Sequence, residues 1–124
     1  MKPRESTIQA KEFQAAALKR QLSQFDRMIG DLEVIRTELG KQIDAEERRT
    51  GVSDPANFAY STVARAARER RSNLTNTIDD LVERRTNALE SLSEIDGFFS
   101  ALNNAGELVI DTAATMRKVQ TAAA

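Results

Sequence analysis

The chain has no cysteine, no histidine and no tryptophan, and only one tyrosine, two prolines and five glycines among 124 residues. The first two absences exclude disulfides, thiol chemistry, the usual zinc ligand sets and the commonest general base, so the residues argue against an enzyme and call for no cofactor or metal. With aromatics at 5% and charged residues at 30%, there is too little bulk for a thick globular core, and a thin fold is expected. Apolar runs extend for only a few residues, so no membrane span is predicted. The opening MKPREST is not followed by a signal-peptide hydrophobic stretch, which reads as a cytoplasmic protein. Eighteen basic residues against nineteen acidic ones leave the global field nearly neutral, so nucleic acid is not an expected partner and any electrostatic contact belongs to a local patch.

What is present is a repeat. From Ile8 a strict alternation of three and four residues passes through Lys11, Ala15, Leu18, Leu22, Phe25, Ile29, Leu32, Arg36, Leu39, Ile43 and Glu46, and nine of these twelve are apolar. A second run starts at Tyr60 and continues through Ala64, Ala67, Arg71, Leu74, Ile78, Leu81, Arg85, Ala88, Leu92, Ile95, Phe99, Leu102, Gly106, Val109, Ala113, Met116 and Gln120, with fourteen of eighteen apolar. A repeat of 3.5 residues drifts around a straight helix, so its persistence implies a helix supercoiled against a neighbour. Between the runs lie stop and start signals: Arg48 and Arg49 at a helix end, Gly51 for a left-handed closure, Asp54 as a cap and Pro55 in a first turn. The expected fold is all-α: an antiparallel two-helix coiled-coil hairpin spanning 1–124, with helix 1 about 5–49, a turn at 50–54, and a longer, overhanging helix 2 about 55–120.

Antiparallel pairing of these seams allows partner numbers that total about 103 or about 110, and the shorter loop favours the first. That register sets Ile43 against Tyr60, Leu39 against Ala64, Ile29 against Leu74, Phe25 against Ile78 and Ile8 against Ile95. It leaves everything after Asn103 without an intrachain partner. The segment either continues as a helix or breaks at Asn103-Asn104-Ala105-Gly106 and folds back, and the unbroken phase favours continuation.

A two-helix structure offers surfaces rather than pockets, so candidate sites are partner contacts. One is the basic cluster Arg65, Arg68, Arg70 and Arg71 with Phe58 and Tyr60 beside it, since arginine and aromatic residues together anchor interfaces. The plainer alternatives are a solvated helix face and a Phe58 packed on Val52 to close the tip. The other candidate is the surplus apolar stripe that includes Leu108, Val109, Ile110 and Met116, for which self-association and a foreign partner are both open. Arg36, Arg71, Arg85 and Lys11 interrupt the seam; their stems are expected to lie along the groove while their heads reach water or acids such as Glu33 and Asp80.

The opening MKPRESTIQAKEFQ, the long first run and then GVSDPANFAYSTVARAARERRSNL resemble alphaproteobacterial members of the FliJ family, the small coiled-coil components of the flagellar type III export apparatus. The resemblance covers roughly residues 1 to 75, with compatible heptads beyond. It implies an antiparallel two-helix protein that catalyses nothing itself and associates with the export ATPase hexamer, the export gate protein and substrate chaperones. It also implies a cytoplasmic location, peripheral to the inner-membrane export apparatus. The alternative from a different class is a homodimeric structural or adaptor coiled coil unrelated to secretion.

Overall fold

A computed structural model describes the backbone of residues 3–123 and the side chains of residues 4–105. Two long helices, α1 (Pro3–Thr50) and α2 (Thr62–Ala123), account for all the regular structure among the described residues and pack against each other as a hairpin. Every seam position from Ile8 to Glu46 and from Tyr60 to Leu102 is buried or half-buried, so the apolar alternation marks the contact line residue by residue. Helix α2 passes through Asn103-Asn104-Ala105-Gly106 without a break. A single glycine inside a helix costs about 1 kcal/mol relative to alanine, too little by itself to end one.

The contacts divide into two compact units, residues 19–88 on the one hand and residues 1–18 with 89–124 on the other. The first holds the turn and most of the buried side chains among those described. Leu39, Ile43 and Ala67 form its central cluster with Leu74 packed on it, and Tyr60, Ala64, Ile78, Leu81 and Ala88 are buried along the same seam. Ala64, Ala67 and Ala88 supply three of these buried positions, and small side chains there let the two helices approach closely. In the second unit Ile95 is buried, Phe98 and Phe99 meet edge to face at 5.4 Å, and the Lys11 ammonium sits 5.8 Å from the centre of the Phe98 ring.

The register is the longer of the two the seams permit. Asp26 pairs with Arg85, Arg71 Nη1 comes to 3.8 Å from where a Cβ on Gly40 would stand, and Lys11 meets Phe98, so partner numbers total about 110 rather than 103. The pairings of Ile43 with Tyr60, Leu39 with Ala64, Ile29 with Leu74, Phe25 with Ile78 and Ile8 with Ile95 are therefore each displaced by one heptad. Ile43 clusters with Ala67 instead. The physical cause is the connection. Helix α2 begins at Thr62 rather than near residue 55, because residues 51–61 form a built loop rather than a short turn.

That loop is assembled from consecutive local hydrogen bonds. Gly51 takes φ 71° and returns its N–H to the Glu47 carbonyl at 2.9 Å, closing α1, while Thr50 Oγ1 donates to the Glu46 carbonyl at 3.0 Å. Asp54 Oδ1 accepts the Ala56 N–H at 2.9 Å, and Asn57 Oδ1 accepts the Ala59 N–H at 2.9 Å. Each aspartate-type turn is followed by a backbone turn, Asn57 N–H to the Asp54 carbonyl and Tyr60 N–H to the Asn57 carbonyl, both at 3.0 Å. The cap of α2 is then Ser61, whose Oγ accepts the Ala64 N–H at 3.2 Å, and not Asp54.

Candidate partner-binding surface

Beside the loop, two successive glutamates of α1 tie down the entry to α2. Glu47 accepts the Tyr60 hydroxyl at 2.8 Å and lies 3.5 Å from Arg68 Nη1. Glu46 accepts the Ser61 hydroxyl at 2.9 Å and the Arg49 guanidinium at 2.8 Å. The Arg49 hydrogen bond, then that of Ser61, holds the Glu46 carboxyl below the usual carboxylate range. Burial, then the bond to the Glu47 carboxylate, pushes the Tyr60 phenol up, with Arg68 opposing.

The basic cluster expected to meet a partner is thus largely engaged within the chain. Arg65 Nη2 donates to the Pro55 carbonyl at 3.0 Å while its guanidinium lies 5.5 Å from the centre of the Tyr60 ring, clasping the loop to α2. Arg68 is held by Glu47, and Arg71 is half-buried over Gly40. Arg70 alone of the four points its charge outward without an ion pair. Phe58 does not pack on Val52; it is 100% exposed at the outermost turn of the loop. Leu108, Val109, Ile110 and Met116 lie outside the residues whose side chains are described.

The polar seam residues also find partners other than those expected. Arg85 reaches across to Asp26, and Asp80 is used by Arg84 of its own helix at 3.2 Å. Lys11 satisfies its charge over an aromatic face. These stems lie in the seam with their heads at its edge, as long basic side chains do at interfaces between helices.

One feature lies outside the sequence-derived site. An open groove of about 750 Å³ runs between the helices next to Arg70, with Ile35, Leu39 and Leu74 as its apolar floor and Glu38, Gln42, Asn73 and Thr77 along its sides. A smaller hollow of about 330 Å³ continues it toward the loop, between Gln42, Val63, Ala66 and Arg70. The signal for this face was one residue off the seam. Met28, Ile35 and Gln42 each precede a seam residue of α1, as Val63, Arg70 and Thr77 do in α2, and three of these six are large apolar residues. Met28 and Ile35 are each 48% exposed and Val63 is 45% exposed, so the face is apolar and uncovered.

Together these features put an exposed aromatic on a hydrogen-bonded loop, an outward guanidinium and an open, partly apolar groove on the described surface. Neither a family model, nor a curated protein, nor a solved structure matches the chain. Among the described residues no helix is long and apolar enough to cross a membrane.

Proposed function

We propose that the chain is a non-enzymatic coiled-coil component of the flagellar protein export apparatus, coupling the export ATPase hexamer to the export gate protein and to substrate chaperones. The reading places it in the cytoplasm, peripheral to the inner membrane. It rests on the resemblance of residues 1–75 to the FliJ family, and the observation that carries it furthest is the tip. The segment that bears the likeness contains a loop organised by its own hydrogen bonds that presents Phe58 to solvent, with a basic start to α2 behind it. In this reading the residues after Asn103 and the start of the chain engage the ATPase ring, and the tip engages the gate.

Retention of the purified chain on an immobilised hexameric export ATPase and on the cytoplasmic part of the gate tests this. Binding to at least one of them, lost with Phe58→Ala for the gate, is the expected result. Binding to neither ends the export reading. The uncovered apolar face around Ile35 and Val63 favours a second reading, a homodimeric adaptor unrelated to secretion.

A further inference from the structure

We infer that the hairpin has two registers one heptad apart, the observed one and a second in which α2 starts at Pro55 and has slid along α1 by about 10 Å. Residues 51–61 are the catch that selects between them. The inference does not depend on the export reading. It starts from two helix starts spaced by one heptad. Ser61 caps α2, its Oγ accepting the N–H of the third helical residue, Ala64. Asp54, earlier in the chain, already accepts the Ala56 N–H at 2.9 Å, the bond an N-cap makes to the second residue of a helix, and Pro55 stands where the first would be.

The stretch between the two starts is partly wound already. Asp54 to Asn57 and Asn57 to Tyr60 are successive turns closed by bonds to the third residue on, and among the described residues only Gly51 has a positive φ. Winding 55–61 into α2 exchanges those bonds for bonds to the fourth residue on, with no glycine and no further proline in the way. The added turns match the slide, so the start of α2 keeps its height beside α1. Residues 51–54 remain as the link, and four residues reach about 13 Å, more than the about 10 Å between packed helix axes.

The seam accepts either register. Slid by one heptad, Leu22 stands level with Leu81, Phe25 with Ile78 and Ile43 with Tyr60, whereas the observed register sets Phe25 against Arg85 and Leu39 against Arg71. Arg71, now over Gly40, comes beside Glu33 in the relation that Arg85 has to Asp26. Polar contacts hold the observed register instead: sliding parts Arg85 from Asp26, Arg68 from Glu47 and Ser61 from Glu46. All of these side chains are partly or largely exposed, so each bond contributes little. A partner that holds the loop as two turns, with Phe58 outward, binds only the observed register. Its grip on the tip and the axial position of α2 are then one equilibrium.

Distances between spin labels on the full chain, which has no cysteine of its own, test this. Gln24→Cys with Asn76→Cys, and separately Thr37→Cys with Asn87→Cys, put the labels at exposed positions off the seam. A one-heptad slide brings the first pair from about 15 Å to about 5 Å apart along the axis and takes the second from about 21 Å to about 32 Å. The native loop should give the observed register's distances. Asn57→Ala with Ser61→Ala removes one turn and the later cap; losing such a cap alone shifts a helix start by about fivefold, so the two together should raise the slid fraction by about tenfold. The first distance then shortens while the second lengthens. Adding Phe58→Pro should restore both, because proline suits the second position of the Asn57 to Tyr60 turn but lacks the N–H that the longer helix bonds to the Asp54 carbonyl. Unmoved distances in the Asn57→Ala, Ser61→Ala chain overturn the proposal. So do two distances that broaden together, which is melting rather than sliding, and a slid chain that Phe58→Pro fails to return.

Discussion

Gly51 is the residue at which the chain's course is most sensitive to a single side chain. Its φ of 71° lies where a Cβ meets the following carbonyl oxygen, although nothing else stands within 4 Å of that position. The strain of Gly51→Ala is therefore purely local, and a loss of about 1–2 kcal/mol is expected in urea unfolding, with the helix content of the native state unchanged. Glu46 sets a different dependence. Its carboxyl is held below its ordinary value in the folded chain, chiefly by Arg49 and then by Ser61, so the stability it contributes is present above the unfolded value and is lost as pH falls through the folded one. Acid titration of the melting temperature should show this loss in the wild type and a smaller one in Glu46→Gln. The Tyr60 phenol, raised by burial and then by Glu47, acts at the other end of the scale: its contribution disappears as pH rises past roughly 10, where free tyrosine ionises. Tyr60→Phe should flatten that alkaline decline while removing the hydroxyl that bonds Glu47.

At the level of the helices, the sequence states the seam almost completely and states the register only to within one heptad. Apolar period is a property of each helix alone, and all the seam positions with described side chains prove buried or half-buried. Register depends on the length of the connection, and there Asp54-Pro55 satisfies the rules for starting a helix as well as for making a turn. Asn57 and Ser61 decide it, by bonding the chain into a second turn and a later cap. The groove was illegible for a related reason: it arises where residues flanking two seams face each other, and which ones meet is unknown until the register is. Because the chain has no cysteine, pairs introduced at seam positions report register directly. Ile29→Cys with Leu81→Cys should join within one molecule under a short bifunctional thiol reagent, whereas Phe25→Cys with Ile78→Cys should react far more slowly. The opposite order, read by electrophoretic mobility after protease cleavage in the loop, favours the shorter register. In the same seam Ile43 is 2% exposed at the centre of the cluster with Leu39 and Ala67, and Ile43→Ala should cost about 2–4 kcal/mol in the same unfolding measurement.

At the scale of the whole molecule, burial among the residues with described side chains is unevenly shared. Eight of the nine buried apolar residues among those described, Ile95 being the exception, belong to residues 19–88, the unit that also contains the hydrogen-bonded loop and the cross-helix pairs of Glu46, Glu47 and Asp26. Isolated helices are marginal in water, and what stabilises a helix in a protein is mainly the apolar face it packs. Among the described residues, then, the apolar face that stabilises the helices is concentrated in the seam around the loop. A fragment of residues 19–88 should therefore retain most of its native helicity and melt cooperatively. The complementary segments, 1–18 and 89–124 mixed as separate peptides, carry one buried residue among those described and lose the covalent connection that makes their pairing intramolecular. They should show little helix at micromolar concentration by circular dichroism. A fragment 19–88 that is largely unfolded at the same concentration contradicts this reading, because it makes the folding of the loop-proximal seam depend on contacts outside the unit that holds eight of the nine buried apolar residues among those described.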